Sequence, residues 1–179
     1  MSALVIGVGN PFRRDDGIGP VVAAEVGKLS LRGVRVMVAT DDPAEMIDAW
    51  DGTELTVVVD AAAGDDAVPG RIRRWTPEAG LRPATVSTHA LDLPAAYALG
   101  QVLGRAPRRL VVLAVDAAEV AFGDGLSSAL TAAVPTVVAA VVSELRGGPP
   151  CAGSCQGPPA PGSARSSSEF HRATGDEIL

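Results

Sequence analysis

Adjacent acids at Asp15 and Asp16, a third acid at Asp60 and a histidine at His89 are the residues whose types and placing could carry chemistry. Asp15 and Asp16 close a glycine-bearing segment, Gly7-Val8-Gly9-Asn10-Pro11-Phe12-Arg13-Arg14-Asp15-Asp16-Gly17-Ile18-Gly19. A dinucleotide fingerprint fails there on spacing, because Gly-x-Gly-x-x-Gly requires glycine at position 12, which is Phe12. Two carboxylates beside a phosphate would also repel it. A plainer reading has Asp15 capping a following helix and Asp16 favouring its dipole. That accounts for one acid better than for the pair together with Asn10. Asp60 ends the run Thr56-Val57-Val58-Val59. An acid past a buried strand can be a turn former, but catalysis or metal ligation fits this address comparably well. His89, in Ser87-Thr88-His89-Ala90-Leu91, precedes a helical stretch and could complete a cluster with Asp16 and Asp60. Two carboxylates and an imidazole suit a borderline divalent metal such as nickel or zinc.

Other polar residues carry weaker signals. Asp41, Asp42, Asp92 and Asp116 could line the same cleft, though a surface turn is the default for such acids. Cys151 and Cys155 lack a nearby His/Cys set, and His171 lies far down the tail. No Gly-x-Ser-x-Gly elbow and no Cys/His nucleophile pair occurs in the body, which argues against a serine or cysteine hydrolase. Trp50, Trp75 and Phe122 read as packing residues.

These residues must be positioned by the elements around them. Apolar runs at Ala3–Val8, Val34–Ala39, Leu55–Val59 and Leu110–Val115 read as strands, as does Arg71–Trp75 after the Pro69-Gly70 turn. Helical spacing marks Ile18–Leu29, Pro43–Trp50, Leu91–Leu103 (its start near Ser87) and Leu126–Leu145. Asp42 is placed to cap the second helix with Pro43 at its first position, and Pro135 should kink or break the last. The order β-α-β-α-β-β-α-β-α implies an α/β fold, a three-layer α/β/α sandwich around a twisted, mostly parallel five-stranded sheet. In such sheets ligands bind at the carboxyl ends of the strands, where the Gly7–Asp16 loop and Asp60 both fall.

Composition sets the outer limits. The chain has 179 residues, 47% of them apolar, which suffices for one domain with a full core. Its formal charge is −6, and its arginines are scattered, so it lacks a nucleic-acid footprint. No secretory leader is visible, and the body carries no cysteine, which fits a reducing, cytoplasmic setting. The uncharged stretch from Gly125 to Ser143 approaches membrane-spanning length, but its Ser, Thr and Pro content and one-sided Val/Leu face favour a buried helix. Residues 148–179 are rich in Pro, Gly, Ser and Ala, and are expected to form a disordered tail after a 1–147 domain.

The motifs together resemble the maturation proteases of nickel–iron hydrogenases. The specific part is Gly7-x-Gly9-Asn10, four residues, then Asp15-Asp16-Gly17-x-Gly19. The pattern continues with Val57-Val58-Val59-Asp60-Ala61, Pro69-Gly70, Ser87-Thr88-His89 and Phe122-Gly123-Asp124-Gly125-Leu126-Ser127. The resemblance implies an endopeptidase that removes the C-terminal extension of a nickel-loaded large-subunit precursor. It implies Asp16, Asp60 and His89 as metal ligands; the mechanism expected on that basis has Asp16 or Asp15 as the base that activates water. Nickel would arrive with the precursor, and no organic cofactor is expected. The large-subunit precursor is the expected partner, with neither nucleic acid nor membrane. Asp16 stands where some members have Glu, and Thr40-Asp41-Asp42-Pro43-Ala44-Glu45 replaces their glycine-rich loop. A non-catalytic nickel-sensing chaperone and a different metal-dependent hydrolase are the alternatives.

Overall fold

The computed structural model describes residues 2–39, 42–77, 86–87 and 93–147, with 86–87 known as backbone only. The expected tail, His89, Asp41 and Asp92 lie outside the described residues. Within them the strands are β1 (Ala3–Val8), β2 (Val34–Ala39), β3 (Leu55–Ala63), β4 (Ile72–Trp75), β5 (Val86–Ser87) and β6 (Leu110–Asp116). The helices are α1 (Ile18–Lys28), α2 (Pro43–Trp50), α3 (Leu93–Val102) and α4 (Ser128–Leu145). A 3-10 turn, Arg14–Gly17, precedes α1.

The main sheet runs β2-β1-β3-β6-β4. The first four of these are parallel, and β4 closes the edge antiparallel to β6. The two-residue β5 adds to β3 antiparallel, so Ser87 belongs to a strand and not to the start of a helix. The five-stranded expectation thus describes the main path, with β5 as an addition.

Strand residues alternate between two cores, as their two-residue repeat requires. Val5, Val57, Val59, Val111 and Leu113 pack with Ile18, Val22 and Val26 of α1 and with Leu130, Val137 and Val141 of α4. Leu4, Ile6, Val8 and Val58 pack on the other face with Met46, Ile47 and Trp50 of α2 and with Ala96 and Tyr97 of α3. Trp50 is fully buried and meets Tyr97 edge to face, their centroids 6.5 Å apart. Helices on both faces make the three layers.

α2 begins as its sequence predicts, with the Asp42 carboxylate accepting from the Ala44 amide at 2.8 Å and Pro43 at the first position. α4 continues as one helix through Pro135, without the break its proline suggested. Pro135 is exposed, so the carbonyl four residues back can turn to water. By length and composition α4 could cross a membrane. Its Leu130, Val137 and Val141 pack on the sheet and α1, and 28% of the helix is buried.

The chain leaves β1 in opposite directions: β2 flanks it on one side and β3 on the other. The carboxyl ends of β1 and β3 therefore border the crevice where parallel α/β sheets bind ligands. The loop after β1 and Asp60 of β3 both reach it.

Candidate active site

Asp60 is a member of β3 and not its terminus: the strand continues to Ala63, and Asp60 is paired with Ala114 of β6. On its other side, however, β1 pairing ends at Gly7↔Val59. Asp60 thus sits one step past the point where β1 leaves the sheet. A turn-forming role is ruled out, since β3 runs on through it. Its residue is 8% exposed, and by strand alternation it shares a face with Val58.

The glycines of the first motif explain how the turn carrying Asp16 is held against β1 and β3. A Cβ on Gly19 would lie 2.1 Å from the Val8 carbonyl oxygen and 2.6 Å from that of Val59, the residue before Asp60. A Cβ on Gly7 would lie 2.2 Å from the Gly19 carbonyl oxygen. Only glycine at both positions lets the start of α1 rest directly on β1 and β3. Gly9 adds a backbone φ of 141°, with Asp16 backbone where its side chain would be. The first turn of the helix is thereby pressed against the strand ends, and Asp16 comes with it.

Asp15 and Asp16 are both fully buried, yet they keep different company. Asp16 Oδ2 accepts the Asn10 amide at 3.0 Å, and Asn10 Oδ1 in turn accepts the Phe12 amide at 2.9 Å. This closes the loop over the end of β1. Asp15 faces the segment after β6. Its Oδ1 accepts the Ser127 amide at 2.7 Å. Its Oδ2 accepts the amides of Ala118 and Glu119 at 2.8 and 2.9 Å and the Ser127 hydroxyl at 3.0 Å. Ser127 is also the N-cap of α4, its Oγ accepting from the Leu130 amide. Asp15 does not cap α1; that position belongs to Gly17, which has no side chain to offer. Asp15 instead ties three segments together. The sequence held one signal for this, the Phe122–Ser127 motif, whose last residue is the second half of the tie.

The remaining expectations divide. Asp116 is fully buried but committed to arginines: Arg71 Nη2 lies 2.7 Å from its Oδ2 and Arg73 Nε 2.8 Å from its Oδ1. Phe122 is 86% exposed, so it is no packing residue. Among the described residues no three of His, Cys, Asp and Glu gather into a metal site. The expected set of Asp16, Asp60 and His89 therefore has two described members, one in the turn before α1 and one in β3 a residue past Val59, which the start of α1 touches, and a third outside the description.

A family model for hydrogenase maturation proteases matches residues 24–144. The chain belongs to the hydrogenase maturation protease family. It is by that membership a peptide hydrolase, not a non-catalytic chaperone. The matched span includes Asp60 and His89 and begins after Asp15 and Asp16. Comparison with curated proteins finds no match. Among solved structures, the chain is similar to the hydrogenase maturating endopeptidase HybD from E. coli, with a TM-score of 0.71 and 20% identity over 82% of this chain and 93% of that one. It is also similar to the [NiFe] hydrogenase maturation protease HybD from Thermococcus kodakarensis, with a TM-score of 0.66 and 26% identity over 81% of this chain and 99% of that one. The HycI maturation protease from Thermococcus kodakarensis follows with a TM-score of 0.63 and 19% identity, over 81% of this chain and 92% of that one. The α/β sandwich of this chain is the fold of these proteases.

Proposed function

We propose that this chain cleaves the C-terminal extension from a nickel-loaded large-subunit precursor of a nickel–iron hydrogenase, in the cytoplasm. The carrying observation is Asp16: a fully buried carboxylate whose turn is pressed by the Gly7–Gly19 contact onto the ends of β1 and β3, the strand that carries Asp60, in a chain of this protease family. In this reading nickel is part of the substrate. Asp16, Asp60 and His89 receive it, and docking the metal brings the scissile bond to the crevice.

Between the two acids, Asp16 is the better base. The carboxylate of Asp15 already accepts four donors, about as many as its two oxygens have lone pairs to offer. It is a positioning residue that holds the Asp16 turn against the loop after β6. Asp16 would take a proton from water as the oxygen attacks the scissile carbonyl carbon. When the tetrahedral intermediate collapses, the C–N bond breaks and that proton passes to the leaving amine.

The deciding experiment is in vitro processing of the cognate precursor, with and without nickel, by the wild-type chain and by Asp16→Ala and Asp16→Asn. Nickel-dependent loss of the extension, abolished in both variants, is the expected result. Retained nickel-dependent binding in Asp16→Asn would assign the base role. Loss of binding as well would make Asp16 chiefly a ligand. Intact metallated precursor in every lane would overturn the reading and favour a different metal-dependent peptide hydrolase.

A further inference from the structure

We propose that Phe12 and Phe122 form an apolar clamp that receives a hydrophobic side chain of the polypeptide substrate close to the bond that is cut. The proposal rests on the peptidase reading above and adds a feature of the substrate that is bound. Phenylalanine is scarce here, with three in the chain. Two of them are turned outward: Phe12 is 67% exposed and Phe122 86%.

They also lie side by side on two paired loops. The Gly123 amide donates to the Phe12 carbonyl and the Arg14 amide to the Gly123 carbonyl, both at 3.0 Å. Arg13 and Gly123 make a parallel β-bridge between them. The path of both loops is constrained. Arg14 has a φ of 51°, and at Gly123, with a φ of 155°, a Cβ would lie 2.6 Å from Arg14 Nε. The four hydrogen bonds of Asp15 brace the same junction from beneath. Aromatic groups on a held backbone lose less freedom on binding than aromatics on a loose loop. Exposed aromatics placed this way are features of binding surfaces.

Continuity with the crevice names the occupant. Phe12 shares one hydrogen-bonded unit with the proposed base: its amide donates to Asn10 Oδ1, and the Asn10 amide donates to Asp16 Oδ2. An extended peptide advances about 3.3–3.6 Å per residue. In this reading a polypeptide with its scissile carbonyl at Asp16 runs over this rim, which Phe12 forms four positions before Asp16. The two exposed apolar side chains suit an aliphatic or aromatic side chain of that polypeptide.

The test uses the full chain and the purified nickel-loaded precursor, with steady-state processing kinetics. Phe12→Ser/Phe122→Ser should raise KM roughly tenfold or more, with kcat changed far less. Phe12→Leu/Phe122→Leu, which keeps apolar surface, should recover most of that loss. Val102→Ser is the control: Val102 is 84% exposed at the end of α3, and its loss should leave KM as in the wild type. Unchanged KM in the double serine variant overturns the clamp. So does a wild-type chain that self-associates in sedimentation velocity through these phenylalanines while the monomeric variant processes normally. Failure of the peptidase reading looks different, since then the wild type itself leaves the precursor intact.

Discussion

Asp15 and Asp116 are both fully buried aspartates at the same end of the sheet, and they are compensated in opposite ways. Asp116 ends β6 and is met by two guanidiniums from the neighbouring edge, Arg71 from just before β4 and Arg73 within it. The Arg73 fork reaches both its oxygens, at 2.8 and 3.2 Å. Asp15 is held by three amides and a hydroxyl. The first arrangement fastens an edge strand with full positive charges. The second fastens two loops with neutral dipoles. That difference suits their positions. A divalent metal brought to Asp16 and Asp60 would be repelled by a neighbouring guanidinium and tolerates amide dipoles. Ion pairing dominates at Asp116, where the Val68 amide adds one main-chain bond at 2.9 Å, and main-chain hydrogen bonding dominates at Asp15.

Removing Asp116 should break this comparison most severely. Asp116→Ala deletes a buried acceptor of several charge-assisted bonds and frees the β4 edge. Arg71 and Arg73 stay partly exposed and can rehydrate, so the loss should be near the low end for a buried pair, about 3 kcal/mol. Urea unfolding of the variant against the wild type reads it directly. Processing per folded molecule should survive, because the Asp116 carboxylate is taken up by Arg71, Arg73 and the Val68 amide. Abolished processing in a well-folded Asp116→Ala chain would mean that Asp116 belongs to the site after all.

The parts of this contrast were unequally legible in the sequence. The parallel core was readable because Val and Leu runs of strand length alternate with amphipathic stretches, and these patterns depend on local periodicity. The crevice was readable as far as the glycine spacing goes, since Gly7, Gly9 and Gly19 are the residues a close approach demands. The partners of Asp15 were not, because they lie more than a hundred positions away and are mostly backbone amides, which have no residue signature. Asp60 appeared to end its strand because the unbroken valine run ends there, whereas pairing with β6 carries β3 on to Ala62 and pairing with β5 carries it to Ala63. Phe122 looked like core by its type alone; exposure is set by the loop pairing with Arg13 and Arg14, which no local pattern encodes.

Asp15→Asn is the next largest perturbation and separates positioning from chemistry. The amide keeps the shape but presents a donor to groups that are themselves donors, and the charge assistance is lost. A destabilisation of about 2 kcal/mol is expected from unpaired buried donors. Processing should fall through kcat, since the Asp16 turn loses its brace, and should not vanish. Complete loss of cleavage with unchanged stability and retained precursor binding would instead make Asp15 the base.

The smallest effect expected is at the outer end of the arginine cluster. Asp66 also bonds Arg73, at 3.1 Å, but its side chain is 65% exposed. The Arg73 guanidinium is raised above its ordinary pKa chiefly by its side-chain hydrogen bond to Asp116, opposed by burial, with Asp66 a lesser contributor. A raised folded pKa stabilises the fold below the ordinary arginine value and is lost only as pH climbs through the folded one. The contribution is therefore constant across neutral pH. Asp66→Ser should change the unfolding free energy by less than about 0.5 kcal/mol, and less still in high salt. A loss as large as that of Asp116→Ala would show that the outer acid, and not the buried one, fastens the edge strand.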